Sequence, residues 1–386
     1  MPILPPVEDL VARIHKAPGR IVLAISGGGA GAIGALTTVA GASRTLLEAA
    51  VPYSEEAISA WLGGRPDAFC ASPTARAMAM AAYLRAVQRA TGRQRSTTPP
   101  EPLLGIAATA ALATDRPRRG SHRIHLAWQS AAATTAWSLE LVKGHRSRGE
   151  EERLAERLVL NLTADALGLS ERLDPCLAAG EYLEQASVAA PTAWQELLAG
   201  HRSAVAHPAL PESEAGPPAL LPGAFHPLHV GHRRMAETAG RLLHRKVAFE
   251  ISIENVDKPP LDFLEIRRRL EQFGEATVWL TRAASFAEKA ELFPGATFVV
   301  GIDTFKRIID PRYYGGDAAA RRARLAHIAE RDCRFLVFGR ALEDSFCRLE
   351  DVTVPEPLRG RCRAVDEATF REDVSSTALR RRSPER

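Results

Sequence analysis

Leu221-Pro222-Gly223-Ala224-Phe225-His226-Pro227-Leu228-His229-Val230-Gly231-His232 reads as the end of a strand, a tight loop and the start of a helix. An apolar run leads in, and a helix-like run, Arg233 to Leu243, leads out. His229 and His232 stand on the loop with Gly231 between them. A helix N-terminus favours anions, because its first N–H groups lack partners inside the helix and its dipole is positive there. Two imidazoles at such an end predict a phosphate site.

Downstream of this loop the chain alternates strand and helix. The patterns predict strands at Ala219–Leu221, Val247–Ile253, Thr277–Leu280, Thr297–Gly301 and Arg334–Phe338. They predict helices at Arg233–Leu243, Asp262–Gln272, Ser285–Leu292, Thr304–Ile309, Ala318–Ala329 and Ser376–Arg382. Such alternation implies an α/β domain with a Rossmann-like, doubly wound parallel sheet, whose ligands lie at the carboxyl ends of the strands.

Upstream, residues 206–218 are rich in proline and polar residues and read as a linker. The expected division is therefore a domain over 1–205, the linker, and a second domain over 219–386. The first half also mixes strands and helices. Ile21–Ser26 reads as a buried strand, Ser54 caps a helix that runs to Trp61, and Pro73–Ala90 is a long helix. His122–Gln129 and Ala133–Val142 read as strands. Glu150–Leu167 is amphipathic, with Leu154, Leu158, Leu162 and Ala166 at helical spacing.

Gly29-Ala30-Gly31-Ala32-Ile33-Gly34 fits GxGxxG after a strand, a pattern that can cradle a dinucleotide pyrophosphate. The acidic residue such a site needs has no clear candidate, since Glu48, Glu55 and Glu56 do not plainly end a second strand. Ser26-Gly27-Gly28-Gly29 also looks like the oxyanion loop of patatin-type lipases, but the chain has no GxSxG elbow.

Ala24-Ile25-Ser26-Gly27-Gly28-Gly29, Gly41-Ala42-Ser43, Pro52-Tyr53-Ser54-Glu55-Glu56-Ala57 and Leu104-Gly105-Ile106-Ala107 together resemble the C-terminal domain of the competence-damage-inducible (CinA) family. Many such domains are nicotinamide-nucleotide amidases, and the resemblance covers about residues 8 to 170. It implies Ser26 as the relic of a nucleophile. The family's acid before that serine is Ile25 here, its lysine after Tyr-Ser is Ile58, and its threonine before Gly-Ile-Ala is Leu104. A serine without a base or lysine is not activated. The expectation is a degenerate ligand-binding or scaffolding domain rather than a working amidase.

In the second half, His229-Val230-Gly231-His232 resembles the HxGH signature of the nucleotidyltransferase superfamily. Asn255-Val256-Asp257-Lys258-Pro259-Pro260, Val300-Gly301-Ile302-Asp303-Thr304-Phe305 and Ser375-Ser376-Thr377-Ala378-Leu379-Arg380 follow in that superfamily's order. The resemblance spans residues 219 to 382. It implies that a phosphorylated acceptor attacks the α-phosphorus of a nucleoside triphosphate and pyrophosphate leaves. His229, His232 and Arg380 are then the catalytic residues. Gly223, Phe225, Gly231, Asp303, Ser375, Ser376 and Thr377 are then nucleotide-binding, with Gly231 leaving room for the nucleotide. His226 shapes the loop. Lys258 and Arg282 are candidates for the acceptor's phosphate. Mg²⁺ is expected on the triphosphate rather than in a protein cage.

The Gly-x-Asp-Thr, Lys-Pro-Pro and SSTxLR stretches look most like pyridine mononucleotide adenylyltransferases. That likeness implies ATP, nicotinate or nicotinamide mononucleotide, and a place in NAD biosynthesis. The alternatives are a cytidylyltransferase acting on a phosphorylated alcohol and a non-catalytic nucleotide-binding regulatory protein. Amidase-like domains of the first type often self-associate, which implies a homo-oligomer.

Charge adds no further partner. Lys and Arg number 21 against 19 Asp and Glu up to Val205, and 29 against 27 beyond, so neither half advertises nucleic acid. The five cysteines are scattered with no CxxC pair, which argues for neither a disulfide framework nor a structural zinc site. The reading is a cytoplasmic protein, with no signal peptide and no membrane span.

Overall fold

The computed structural model describes residues 6–91, 101–116, 119–209, 218–254, 258–342 and 345–372. The chain divides into two compact units. One is Met1–Gln195 with Asp257–Glu265, and the other is Glu196–Val256 with Ile266–Arg386.

In the first unit the strands are β1 (Arg20–Ser26), β2 (Leu46–Ala50), β3 (Leu103–Ala111), β4 (His122–Gln129), β5 (Ala133–Leu141) and β6 (Glu184–Ala189). They form one sheet in the order β2-β1-β3-β4-β5-β6. The β2-β1-β3 part is parallel and the rest is antiparallel. The helices are α1 (Val7–Ile14), α2 (Gly31–Thr38), α3 (Ala42–Thr45), α4 (Glu55–Leu62), α5 (Ser72–Thr91) and α6 (Arg148–Ala166). As expected, Ser54 caps α4, accepting from the Ala57 N–H at 3.2 Å. Helix α6 begins on a capping box in which Ser147 and Glu150 satisfy each other's backbone N–H groups. Its apolar stripe, Leu154, Leu158 and Leu162, packs with Leu23, Ile25 and Ile106 of the sheet in one core. The segment 258–265 joins this unit through Arg76, which bonds Asp262 at 3.0 Å and Glu265 at 3.2 Å.

Helix α7 (Thr192–Ala199) leads into the second unit. Its strands are β7 (Ala204–His207), β8 (Ala219–Pro222), β9 (Val247–Ser252), β10 (Val278–Thr281), β11 (Thr297–Gly301), β12 (Arg334–Phe338) and β15 (Cys362–Val365). A hairpin, β13 (Arg340–Leu342) with β14 (Ser345–Cys347), stands apart. The helices are α8 (Val230–Leu243), α9 (Phe263–Leu270), α10 (Phe286–Leu292), α11 (Ile302–Ile309) and α12 (Ala318–Glu330).

The large sheet runs β15-β12-β11-β8-β9-β10-β7. Every pairing is parallel except that of β10 with β7. Numbered along the chain from β8, the parallel strands stand in the order 3-2-1-4-5-6, which is that of the doubly wound dinucleotide-binding sheet. The chain leaves β8 toward β9 on one side and later returns to β11 on the other. The crevice for a ligand therefore opens where the loops after β8 and β11 diverge. The five strands expected here are all present. Phe298, Phe305 and Phe335 are buried in this unit's core.

One boundary differs from the expectation. Ala204–His207 spans the end of the expected first domain and the start of the linker, yet it is an antiparallel edge strand of the second sheet, with His207 opposite Val278. Three small apolar residues before Pro208 pair readily with the exposed edge of β10. Residues 210–217 of the expected linker and the expected helix Ser376–Arg382 lie outside the described residues.

Leu158 is fully buried beneath the first sheet. Leu158→Ala should lower the stability of the first unit by about 2–5 kcal/mol through lost transfer energy and the cavity left behind. Hydrogen exchange in α6 during urea unfolding measures this, and unchanged protection there contradicts the packing described.

Candidate active site

The histidine loop is built from its buried aromatic outward. Gly223 leaves β8 with its N–H on the carbonyl of Glu250 in β9, at 2.9 Å. Phe225 then takes a left-handed backbone, φ +47°, which is costly for a residue with a Cβ. The cost is offset by burial. The ring is 2 % exposed and meets Phe249, Phe273 and His232 edge-on, with centroids 5.4, 5.3 and 5.0 Å away. The Phe225 side chain packs so that it braces the His232 imidazole.

The segment that closes α9 grips the same loop. Arg269 donates to the Ala224 carbonyl at 2.9 Å. Gln272 accepts from the Leu228 N–H at 2.8 Å and donates to the Phe225 carbonyl at 3.3 Å. Arg268 donates to His226 Nδ1 at 2.8 Å, so His226 shapes the loop.

His229 is the N-cap of α8. Its backbone N–H donates to Nδ1 of His232 at 3.3 Å. That nitrogen is therefore an acceptor, and the neutral ring of His232 carries its proton on Nε2. The two rings stack, with centroids 3.7 Å apart and planes 25° from parallel. Nδ1 of His229 is buried without a hydrogen-bond partner. A Cβ at Gly231 would lie 3.2 Å from the His229 ring and 3.1 Å from Glu372. Glycine at 231 thus makes room for His229. Both residues stand over the first turn of α8, whose leading N–H groups form an anion-binding end.

The electrostatics keep both rings neutral. Burial lowers the His232 pKa to about 3, helped by the neighbouring His229 and by Arg340. Burial and Arg340 also lower that of His229, while Glu372 acts in the opposite sense. Glu372 in turn pairs with Arg234 at 2.6 Å.

Across the crevice, Asp303 lies in the first turn of α11 and Gly301 is the N-cap, so the aspartate side chain does not cap the helix. It pairs with Arg340 at 3.4 Å. Arg340 and Glu372 were not anticipated from the sequence. Arg340 stands two residues beyond a strand end, so the rule that ligands gather at carboxyl ends could have found it.

Arg282 is committed elsewhere: it pairs with Glu254 and donates to the carbonyls of Leu197 and Leu198 at 3.3 and 3.0 Å. It closes the C-terminus of α7. Lys258 is exposed and belongs to the segment that packs with the first unit. Ser375, Ser376, Thr377 and Arg380 lie outside the described residues, as do Asn255 to Asp257.

In the first unit the glycine-rich loop is already filled. Oε1 of Glu152, from α6, accepts from the N–H groups of Gly29 and Ala30 at 2.8 and 2.9 Å. An internal carboxylate stands where a pyrophosphate would. Gly27 has φ +79°, and a Cβ there would lie 1.9 Å from the Ala110 carbonyl oxygen, so close packing on β3 accounts for that glycine. Glu48 lies on β2 and binds Arg85 and Arg89, each through one carboxylate oxygen. Ser26 is 4 % exposed, and Ile25, Ile58 and Leu104 are core residues. Beside them is a cavity of about 270 Å³ lined in part by Ile25, Gly28, Tyr53, Arg148 and Glu152. Among the described residues, no group of three His, Cys, Asp or Glu could hold a metal ion. No helix among them is long and apolar enough to cross a membrane.

Residues 220–382 match the family model described as Cytidylyltransferase-like, so the second unit carries a nucleotidyltransferase-type domain. The first part is similar to solved structures of competence-damage proteins. One is the competence/damage inducible protein CihA from Agrobacterium tumefaciens, 22 % identical, covering 44 % of this chain and 96 % of its own, with TM-score 0.29. Others are a CinA superfamily protein from Enterobacter cloacae (16 % identity, 44 % and 94 % coverage, TM-score 0.33) and one from Klebsiella pneumoniae (16 %, 42 % and 99 %, 0.32). No curated protein matches the chain.

The lowered basicity of both histidines has a sign. Folding favours the neutral rings, so their contribution is complete above the ordinary imidazole value near 6.5 and is lost as pH falls below it, that of His232 down to about 3. A ¹H–¹⁵N titration of the imidazoles should show His232 uncharged at pH 5 with its proton on Nε2. A midpoint near 6.5 for that ring contradicts the buried, stacked arrangement.

Proposed function

We propose that the second unit transfers a nucleotidyl group from a nucleoside triphosphate, ATP first, to a phosphorylated acceptor such as nicotinamide or nicotinate mononucleotide. The observation that carries this reading is the stacked His229–His232 pair on the first turn of α8, at the switch point of a 3-2-1-4-5-6 sheet. It supplies hydrogen-bond donors and a helix N-terminus at the place where such sheets bind nucleotides. The family match over 220–382 supports the reaction class.

In this reaction an acceptor phosphate oxygen forms a bond to the α-phosphorus, the α–β bridging P–O bond breaks, and pyrophosphate leaves with that oxygen. The protein provides no nucleophile. It holds the partners in line and stabilises charge on the phosphate oxygens. His232 donates from Nε2 as a neutral imidazole, the tautomer fixed by the His229 N–H. Phe225 fixes the plane of that ring. Mg²⁺ would arrive on the triphosphate, held by its oxygens and water, and would neutralise part of its charge.

The family model's own description favours a second reading, a cytidylyltransferase acting on a phosphorylated alcohol. The first unit we read as a ligand-binding or scaffolding relic. Its serine is buried, its acid and lysine positions are isoleucines, and its anion loop is occupied by Glu152.

The test is pyrophosphate release from Mg²⁺ with each triphosphate and a panel of phosphorylated acceptors. Release with ATP and a pyridine mononucleotide is expected. Release with CTP alone replaces the adenylyl reading, and release with no pair removes the enzyme. His232→Ala should lower kcat by about 10²–10³-fold, the cost of losing one preorganised donor, with the fold retained. Ser26→Ala should leave both nucleotidyl transfer and any nicotinamide-nucleotide deamidation unchanged. A deamidation rate that disappears in that variant contradicts the relic.

A further inference from the structure

We infer that Arg76, in the first unit, is a positioning residue for the histidine loop: it anchors the first turn of α9, and the last turn of α9 holds that loop. The inference rests on the nucleotidyltransferase reading and gives the first unit a task in that reaction without chemistry of its own.

Helix α9 lies astride the division of the chain. Its residues through Glu265 belong to the first unit, and those from Ile266 onward to the second. First-unit residues fix its start. Asp262 caps the helix, its Oδ1 accepting from the Glu265 N–H at 3.0 Å. Arg76, on α5, donates from Nε to Asp262 Oδ2 at 3.0 Å and from Nη2 to Glu265 Oε2 at 3.2 Å. The Phe263 N–H donates to Thr134 Oγ1, on β5, at 3.1 Å. The Phe263 ring is fully buried and faces that of Trp194, with centroids 6.4 Å apart.

Such an anchor resists release. The side chains of Arg76, Asp262 and Glu265 are 12, 8 and 9 % exposed. Removing one partner from ions so withdrawn from water leaves the other desolvated without its counter-charge. One guanidinium fork serves both carboxylates, which stand one turn apart and otherwise repel each other. The Arg65–Glu55 pair of the same unit shows the contrast: at 70 and 57 % exposed it contributes little.

The far end of α9 grips the loop. Arg268 and Arg269, in its last turn, donate to His226 Nδ1 and to the Ala224 carbonyl. Gln272, two residues beyond, bonds the Leu228 N–H and the Phe225 carbonyl. Phe273 meets the Phe225 ring, which in turn braces His232. A helix of about two turns is stiff, so a shift at Glu265 is carried along it to Gln272. The left-handed backbone of Phe225 adds to the need, since such a conformation persists only where its surroundings over-determine it. Arg76 carries no motif, and it acts on the imidazoles only through α9.

Hydrogen exchange and imidazole titration of the full chain read this path without substrate. In Arg76→Met the Glu265 and Leu228 amides should exchange about tenfold faster or more. The His232 midpoint should rise from about 3 toward the ordinary imidazole value. Arg76→Lys keeps the charge without the fork and should fall between that variant and wild type; it carries the test alone if Arg76→Met does not fold. The kcat for pyrophosphate release should fall in the same order, because a misplaced donor loses its hold on the transition state. Leu158→Ala weakens the same unit through a core that does not include α9, so it should leave the Leu228 amide and the His232 midpoint at wild-type values. Unchanged exchange at Leu228 in Arg76→Met, whatever happens at Glu265, overturns the inference and leaves the parent reading in place. So does an unchanged kcat with a faster Leu228 amide, or an equal change at Leu228 in Leu158→Ala. If the wild-type chain releases pyrophosphate with no triphosphate and acceptor, the parent reading falls, and Arg76 has no reaction to serve.

Discussion

A backbone N–H of His229 donating to Nδ1 of His232 organises the second unit's chemistry. It closes the first turn of α8 on a side chain and fixes which ring nitrogen keeps the proton. The stacked rings can then stay neutral and still donate. Much of the surrounding structure serves this bond. Phe225 accepts a left-handed backbone so that its ring can brace His232. Gly231 gives up its side chain so that the His229 ring can lie against the helix. Arg268, Arg269 and Gln272 hold the loop from outside. Preorganisation of this kind lets a hydrogen-bond donor act without reorganising at the moment of reaction.

The two units apply one piece of physics to opposite ends. Each has a strand, a glycine-containing loop and a helix N-terminus, the arrangement that attracts anions. In the first unit Glu152 occupies the N–H groups of Gly29 and Ala30, so the loop is satisfied from within. In the second, the side chains over the helix end are imidazoles that repel no anion. A glycine pattern alone does not separate these cases, since the deciding residue in the first unit lies on a helix far along the chain.

Much of the fold was legible because its signals are local. Val247–Ser252 and Thr297–Gly301 are apolar runs of strand length, as strands buried on both faces must be. Ser54 and Ser147 mark helix starts through side chains that satisfy nearby N–H groups. Leu46–Ala50, Glu184–Ala189 and Ala204–His207 were not legible as strands. They are sheet edges, and β6 is almost wholly exposed, so neighbours rather than composition make them strands. The histidine pair was legible as a motif, and its tautomer was not. The inward turn of the Phe225 ring was not legible, because it follows from a left-handed backbone at that residue. The partners of Arg282, the carbonyls of α7, were not legible because they come from another part of the chain. Arg340 carries no motif at all and becomes visible only when β11 and β12 are seen to be neighbours.

The central claim is that a polyphosphate binds between the loops after β8 and β11, over the first turn of α8. A crystal structure of the full chain with Mg²⁺ and a non-hydrolysable nucleoside triphosphate tests it most directly. The account predicts phosphate oxygens within hydrogen-bond distance of Nε2 of His232. Phosphates seated instead on the Gly29–Ala30 loop, with Glu152 displaced, would contradict it.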